Sequence, residues 1–390
     1  MRTAALFAFC FGLLLASAAQ AADSLNVRLV GSCDTPGGAS GVAKQGDYAF
    51  VADVDSGLRV ISVADPAHPA EVGHADTPGR AVAVAVSGNY AYVIDLSAGL
   101  RVISVADPAH PTEVGYYDTP GLAYCVAVNG NYAYVADVDS GLWVISIADP
   151  AHPTKVGHCE LPDTAFSVSV AGHLVCVADN YHGLRVISVA DPANPVEVGH
   201  NDSLGFYCVT ASGDYAYVGF IENGLYVVSL ADPAHPAKVG WCNTHDWVGS
   251  VAICNGYAYA LGSSRLYVVS VSDPSHPDTV GHYLWLHGAR SVAADADYAY
   301  VTSDSGLGVY QFYGAGIEES KNAGLRAAKC LPTIVRGVLF LAEAESLLDA
   351  AGRVVGELRP GANDVSALAP GVYFVKERSV VCMRKVVVAR

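Results

Sequence analysis

The stretch EVGYYDTPGLAYCVAVNGNYAYVADVDSGLWVISIADPAHP, from Glu113 to Pro153, is one copy of a unit that recurs along most of the chain. Its Asp-Pro dipeptide returns at Asp65, Asp107, Asp149, Asp191, Asp232 and Asp273, at spacings of 42, 42, 42, 41 and 41 residues. A tyrosine-rich run opens at Tyr48, Tyr90, Tyr132, His173, Tyr215, Tyr257 and Tyr298, which makes seven copies. A period of about 40–45 residues with strand-type content predicts propeller blades.

Four strands fit in each unit. In the second copy they are Ala81 to Val86 (a), Tyr90 to Ile94 (b), Leu100 to Val105 (c) and Glu113 to Tyr117 (d). Ser87-Gly88-Asn89, Ser97-Ala98-Gly99 and Asp107-Pro108-Ala109-His110-Pro111 supply the turns between them. Strand b is apolar on both faces, with Tyr90 and Tyr92 pointing one way and Ala91 and Val93 the other. A sheet with one wet face would alternate with polar residues, so each sheet is expected to sit between two neighbours. Closed radial packing supplies that arrangement. An open β-solenoid is the competing architecture, but its coils repeat at shorter periods and its ends need caps.

The phase of the repeat predicts how the ring closes. A d-type strand, Val27 to Cys33, precedes the first a strand. The seventh set, Ser291 to Ala294, Tyr298 to Thr302 and Gly306 to Phe312, has no d strand after it. The N-terminal strand is therefore expected to complete the last blade and remove an open edge. The fold class expected is all-β: a seven-bladed β-propeller of four-stranded blades, followed by a small C-terminal antiparallel β domain.

The 390 residues carry 22 Lys+Arg and 38 Asp+Glu. Residues 1–320 have a net charge of −21 and residues 321–390 a net of +5. Such asymmetry predicts two segments with different roles. The acidic main body disfavours nucleic acid as a partner. At the N-terminus, Arg2, the apolar run Ala4 to Ala16 and Ala19-Gln20-Ala21 have the form of a signal peptide over residues 1–21. No segment reaches the length of a membrane-spanning helix. Of ten cysteines, Cys10 falls in the signal. The other nine include no C-x-x-C pair, and those at equivalent repeat positions are read as free thiols in separate blades.

Several segments resemble known families. Gly57-Leu58-Arg59-Val60-Ile61-Ser62-Val63-Ala64-Asp65-Pro66 and Gly141-Leu142-Trp143-Val144-Ile145-Ser146-Ile147-Ala148-Asp149-Pro150 resemble the LVIVD repeat of exported bacterial β-propeller proteins. Ser62 and Ser146 stand where a second acidic residue is usual. The resemblance covers roughly residues 27–313 and implies the fold without a settled activity. After Tyr313, residues 314–331 read as a linker. Short strands are then predicted at Gly337 to Leu341, Ser346 to Asp349, Arg353 to Leu358, Gly371 to Lys376 and Arg384 to Ala389. The words LLDAAGRVVGEL and GVYFVKE, with the terminal Arg384 to Arg390, resemble the type A sorting domain of the type IX secretion system. That resemblance implies that residues 332–390 engage outer-membrane secretion machinery. It also implies delivery through the periplasm to the surface or exterior of a Gram-negative-type bacterium.

The loops between strand d and the next strand a carry the candidate binding residues. Early copies are plain, as at Asp76-Thr77-Pro78-Gly79. Later ones bring Phe206, Tyr207, His245, Asp246, Trp247, Trp285, His287 and Arg290 to blades 5 to 7 of one face. Such a group can stack on a sugar or peptide. In the b–c turns, Asp53 with Asp55 and Asp137 with Asp139 are paired carboxylates that suit calcium, but Asp, Ser and Gly are also what a tight hairpin needs. No cofactor is otherwise expected. The repeated His68, His110, His152, His235 and His276 lie on separate blades and are read as turn residues. No nucleophile elbow, H-E-x-x-H, P-loop or dinucleotide fingerprint occurs, and no catalytic residue is assigned. The expectation is a monomeric surface or secreted scaffold for an unidentified glycan or protein ligand. The alternative is a propeller hydrolase or lyase acting on extracellular polysaccharide or peptide.

Overall fold

A computed structural model describes residues 24–313, apart from 203–205, 221–223 and 285–287, together with strands of a C-terminal unit. Residues 1–21, read from the sequence as a signal peptide, and residues 314–331, read as a linker, lie outside the described residues. The chain divides into two compact units, Met1–Ile317 and Glu318–Arg390. Among the described residues no helix is long and apolar enough to cross a membrane.

The first unit is a seven-bladed propeller. Blade 1 has strands Gly41–Gln45, Tyr48–Ala52, Leu58–Ser62 and Ala70–Ala75, hydrogen-bonded in that order. Blades 2 to 6 repeat the same a-b-c-d order. Each a strand contacts the a strand of the next blade, and that of blade 7, Ser291–Ala294, contacts that of blade 1. The ring is therefore closed, with the a strands around its axis. The predicted b and c strands are buried on both faces: Ala91 and Val93 are shielded on one side, Tyr92 and Ile94 on the other. Neighbouring blades thus share each hydrophobic layer, and seven such clusters make up the core.

Closure follows the phase of the sequence. Val27–Asp34 pairs antiparallel with Gly306–Phe312, from Val27 opposite Phe312 to Asp34 opposite Gly306. Just upstream, Leu25 exchanges two 2.8 Å backbone hydrogen bonds with His282 on strand d of blade 6. Asn26 adds a side-chain bond to the Val280 carbonyl. The N-terminal segment therefore fastens both the last blade and the one before it.

A second regularity lies on the d strands. Each carries a bulge that ends at a glycine, as where Val102 pairs Gly115 and Ile103 pairs Glu113. At six of these glycines the Asp-Pro turn of the next blade rests on the glycine, while at Gly281 in blade 6 Leu25 and Phe312 take its place. A Cβ at Gly115 would lie 2.3 Å from the Pro150 carbonyl oxygen. At Gly73 and Gly31 the distances to Pro108 and Pro66 would be 2.3 and 2.4 Å. In the turn itself, the Asp107 carboxylate accepts the Ala109 N–H at 3.1 Å and meets His110 Nδ1 at 2.9 Å. The five repeated histidines each make such a local pair with their own Asp. The His110 and Ala109 bonds hold the carboxylate of Asp107 below the usual range, and at Asp273 the Ser275 hydroxyl, with His276 and the Ser275 N–H, brings it down to about 2.

The c and d strands of one blade exchange partners as a pair. Where strand c carries Arg59, Arg101 or Arg185, strand d carries Glu71, Glu113 or Glu197, at 3.3, 3.7 and 3.3 Å. Where strand c carries Trp143 or Tyr226, strand d carries Lys155 or Lys238, with the ammonium 4.1 and 3.6 Å from the ring centroid.

In the C-terminal unit, Val338–Leu341, Glu345–Leu348, Val354–Leu358, Gly371–Lys376 and Met383–Val388 match the five predicted strands. Two features differ from the sequence expectation. Thr333–Val335 pairs in parallel with Met383–Val388, so the unit is mixed rather than wholly antiparallel. Gly361–Asp364, which overlaps the stretch Pro360-Gly361-Ala362-Asn363 that composition reads as a turn between predicted strands, is a strand paired with Val338–Leu341. A glycine that opens a short edge strand is indistinguishable by composition from a turn glycine.

Candidate ligand site at the channel mouth

The b–c turns and d–a loops meet on one face of the ring. Val54 and Ala81 pair by backbone, the Leu96 N–H donates to Arg80, and the Val138 N–H donates to Leu122. An aspartate at the end of strand b latches the two. Asp53, Asp95, Asp137 and Asp179 are all fully buried. Asp53 accepts from the Thr35 hydroxyl at 2.7 Å and the Gly37 N–H at 2.8 Å. Asp95 accepts the Gly79 N–H at 2.6 Å and Asp137 the Gly121 N–H at 3.1 Å. A Cβ at Gly121 would lie 2.1 Å from the Asp137 carboxylate, so the loop needs glycine there.

These latches locate the carboxylates considered for calcium. Asp53 and Asp137 are turned inward to the loop above, while the Asp55 side chain is 77% exposed and lies 3.8 Å from Arg80. The Asp139 N–H donates back to Asp137 at 3.2 Å. Among the described residues no three His, Cys, Asp or Glu side chains gather as a metal-ligand set. Replacing Asp95 with Ala leaves a buried N–H unpaired and is expected to cost about 1–3 kcal/mol. Asp55→Ala is expected to stay within about 0.5 kcal/mol. Thermal melts of the two variants check this contrast.

The later blades replace the latch. In blade 6 the acid moves to the loop: Asp246 accepts from the Ser263 N–H at 3.0 Å and its hydroxyl at 2.7 Å. In blade 7, Asp304 accepts from Arg290 Nη2 at 2.6 Å.

Aligning the blades by register puts one residue of each at the channel mouth: Ser40, Val82, Tyr124, Phe166, Tyr207, Gly249 and Arg290. The aromatic members form a continuous arc. Tyr124 meets Phe166 edge-on with centroids 5.4 Å apart. Phe166 stacks on Tyr207 at 5.1 Å and 18°. Tyr207 meets Trp247 edge-on at 5.8 Å. The Trp247 ring fills the space over Gly249, where a Cβ would lie 2.4 Å from it. Tyr124 and Trp247 are each 36% exposed. Burial pushes the Tyr124 phenol up, with Tyr207 adding to it and Arg290 opposing. Arg290 holds the equivalent position on blade 7.

Of the residues singled out in the sequence, Tyr207, Trp247 and Arg290 are brought to this mouth. Asp246 is engaged with Ser263, and His245 is exposed in a left-handed backbone conformation at φ 55°. Phe206 begins strand a of blade 5, and its side chain lies outside the described residues, as do Trp285 and His287. Tyr124 and Phe166 escaped the sequence reading. They sit inside regular a strands rather than in the divergent loops, and only a column-by-column alignment of the seven copies exposes them.

Beneath the mouth, side chains of the a strands stitch adjacent blades together. Ser167 accepts from the Val209 N–H at 3.1 Å, and Ser250 from the Val292 N–H at 3.2 Å. Cys125 and Cys208 occupy the same column and point at the carbonyls of Val168 and Val248. The seven described cysteines are free thiols. Burial pushes Cys176 and Cys208 up to about 12, which keeps them protonated and inert at neutral pH.

Six matches to the LVIVD repeat family model, over residues 36–77, 78–119, 120–160, 163–202, 208–244 and 247–284, span more than half of the chain. This is a β-propeller repeat protein, and the chain belongs to the LVIVD repeat family. The crystal structure of the computationally designed Ika8 protein is similar in fold, with a TM-score of 0.55 and 7% identity. That alignment covers 73% of this chain and 99% of the designed one. No curated protein matches this sequence.

Proposed function

We propose that this protein is an exported binding scaffold that holds its ligand at the channel mouth and is delivered by its C-terminal unit. The observation that carries the binding reading is the arc of four aromatic rings contributed by blades 3 to 6. Large rings gathered together and left partly exposed suit recognition of a ligand. Of the charged groups on the same face, Arg290 is paired with Asp304, and Asp246 accepts from Ser263. That favours a scaffold over a hydrolase or lyase, whose acid and base must be free to reach substrate.

Delivery is read from both ends of the chain. Residues 1–21 have the form of a signal peptide, and residues 332–390 resemble a type A sorting domain. The net charge of +5 on residues 321–390 against −21 before them fits a module that addresses a different partner, the outer-membrane secretion machinery. The destination is the surface or exterior of a Gram-negative-type cell, reached through the periplasm. The test is expression in the native host with and without residues 332–390, followed by fractionation. A folded propeller retained in the periplasm is the expected outcome for the shortened chain. Its normal arrival at the surface would sink the sorting reading.

A further inference from the structure

We propose that the channel mouth takes an uncharged glycan, stacked on the Tyr124–Phe166–Tyr207–Trp247 arc and hydrogen-bonded by the Arg290–Asp304 pair. This rests on reading the mouth as the ligand site. Charge narrows the class. The net charge of −21 on residues 1–320 opposes the approach of a polyanion, which disfavours acidic polysaccharides and nucleic acid. A cationic ligand gains from that field, but at the mouth it has to compete with Arg290 for Asp304, whose carboxylate Arg290 already holds at 2.6 Å. Neutral ligands face neither penalty.

Geometry narrows it further. The four rings pack edge-on, stacked and edge-on in turn, and the two at the ends of the arc, Tyr124 and Trp247, are each 36% exposed. A pyranose presents an apolar C–H face, which stacks on such rings, and a rim of hydroxyls that both donate and accept. The Arg290–Asp304 pair offers planar donors and acceptors side by side, with side chains 42% and 56% exposed. Ser40 at the same level adds a hydroxyl. An extended peptide would instead need unpaired backbone groups along the mouth. The a strands use their inner edges for bonds between blades, as Ser167 does with Val209.

The experiment is calorimetric titration of the full-length protein with cellohexaose, xylohexaose and mannohexaose. Hexagalacturonate, a lysine hexapeptide and an uncharged hexapeptide serve as contrasts. At least one neutral hexasaccharide is expected to bind, with quenching of Trp247 fluorescence, and hexagalacturonate and both peptides are expected not to. Tyr124→Ala and Trp247→Ala remove partly exposed rings, so the fold is expected to survive, which a melt verifies. Each is expected to weaken binding at least tenfold. Arg290→Gln with retained stacking is expected to weaken it several-fold. Failure of all three neutral sugars overturns the proposal. If a charged probe or the uncharged peptide binds instead and the ring variants abolish that, the glycan assignment falls and the mouth stands as the site. If sugar binding is indifferent to the ring variants, the site reading itself fails.

Discussion

A chain lacking Val27–Asp34 is expected to lose most of its folding stability and to self-associate. The segment supplies the outer strand of blade 7 along seven registered residue pairs. It also buries Val27 to 2% exposure and leads from the Leu25 pairing with blade 6. Each backbone hydrogen bond contributes about 1 kcal/mol net. The lost ladder and the uncovered apolar surface together cost on the order of 5 kcal/mol, against a typical domain stability of about 5–15 kcal/mol. The edge of Gly306–Phe312 is then open to pair with another chain. Urea unfolding followed by circular dichroism, with light scattering beside it, checks both halves of this expectation. An unchanged midpoint and a monomeric truncated chain would show that the ring is held by packing alone.

The second large effect is expected at Gly115. Its backbone angle is not in the left-handed region, so the requirement is for space and not for conformational freedom. A Val side chain would drive Cβ to 2.3 Å from the Pro150 carbonyl and 2.8 Å from that of Ala151, both backbone atoms of the next blade. Neither can swing away without moving an Asp-Pro turn. Overpacking of this kind costs about 3 kcal/mol. Gly130→Ala, in an a–b turn with φ 57° and no atom within 4 Å of the added Cβ, is the matched contrast. Only local strain of about 1 kcal/mol is expected there. A difference in melting temperature between the two variants of less than a few degrees would contradict the account.

Blade number, strand order and closure were legible because they depend on the repeat alone. Strand limits read from the sequence lie within a residue or so of those found: Val27–Asp34 against Val27 to Cys33, and Ala299–Ser303 against Tyr298 to Thr302. The site was half legible. Tyr207, Trp247 and Arg290 stood out because blades 5 to 7 break the plain Asp-Thr-Pro-Gly loop. Tyr124 did not, since its neighbours Gly121-Leu122-Ala123 keep that plain pattern and a tyrosine in a strand is unremarkable by composition. Which carboxylates turn inward was also hidden. Asp53 and Asp55 are chemically alike, and only the glycine of the preceding loop distinguishes the latched one. In the C-terminal unit the parallel pairing of Thr333–Val335 joins segments about fifty residues apart in the chain, beyond the reach of any local pattern.

The coupled choice on strands c and d bears on how such a gene can change. Near-identical copies of a 42-residue unit invite unequal crossing-over between repeats. A crossover inside the Asp-Pro turn would join strand c of one blade to strand d of another. Trp143 would then face Glu113 without its lysine, or Arg101 would face Lys155. The second product sets the Lys155 ammonium beside the buried Arg101 guanidinium, a destabilising outcome. A crossover at Gly99 or Gly141, before strand c begins, keeps each pair intact. The physics of one ion pair thus divides the repeat into an inner a–b half and an outer c–d half, and marks the b–c turn as the seam along which recombinants survive.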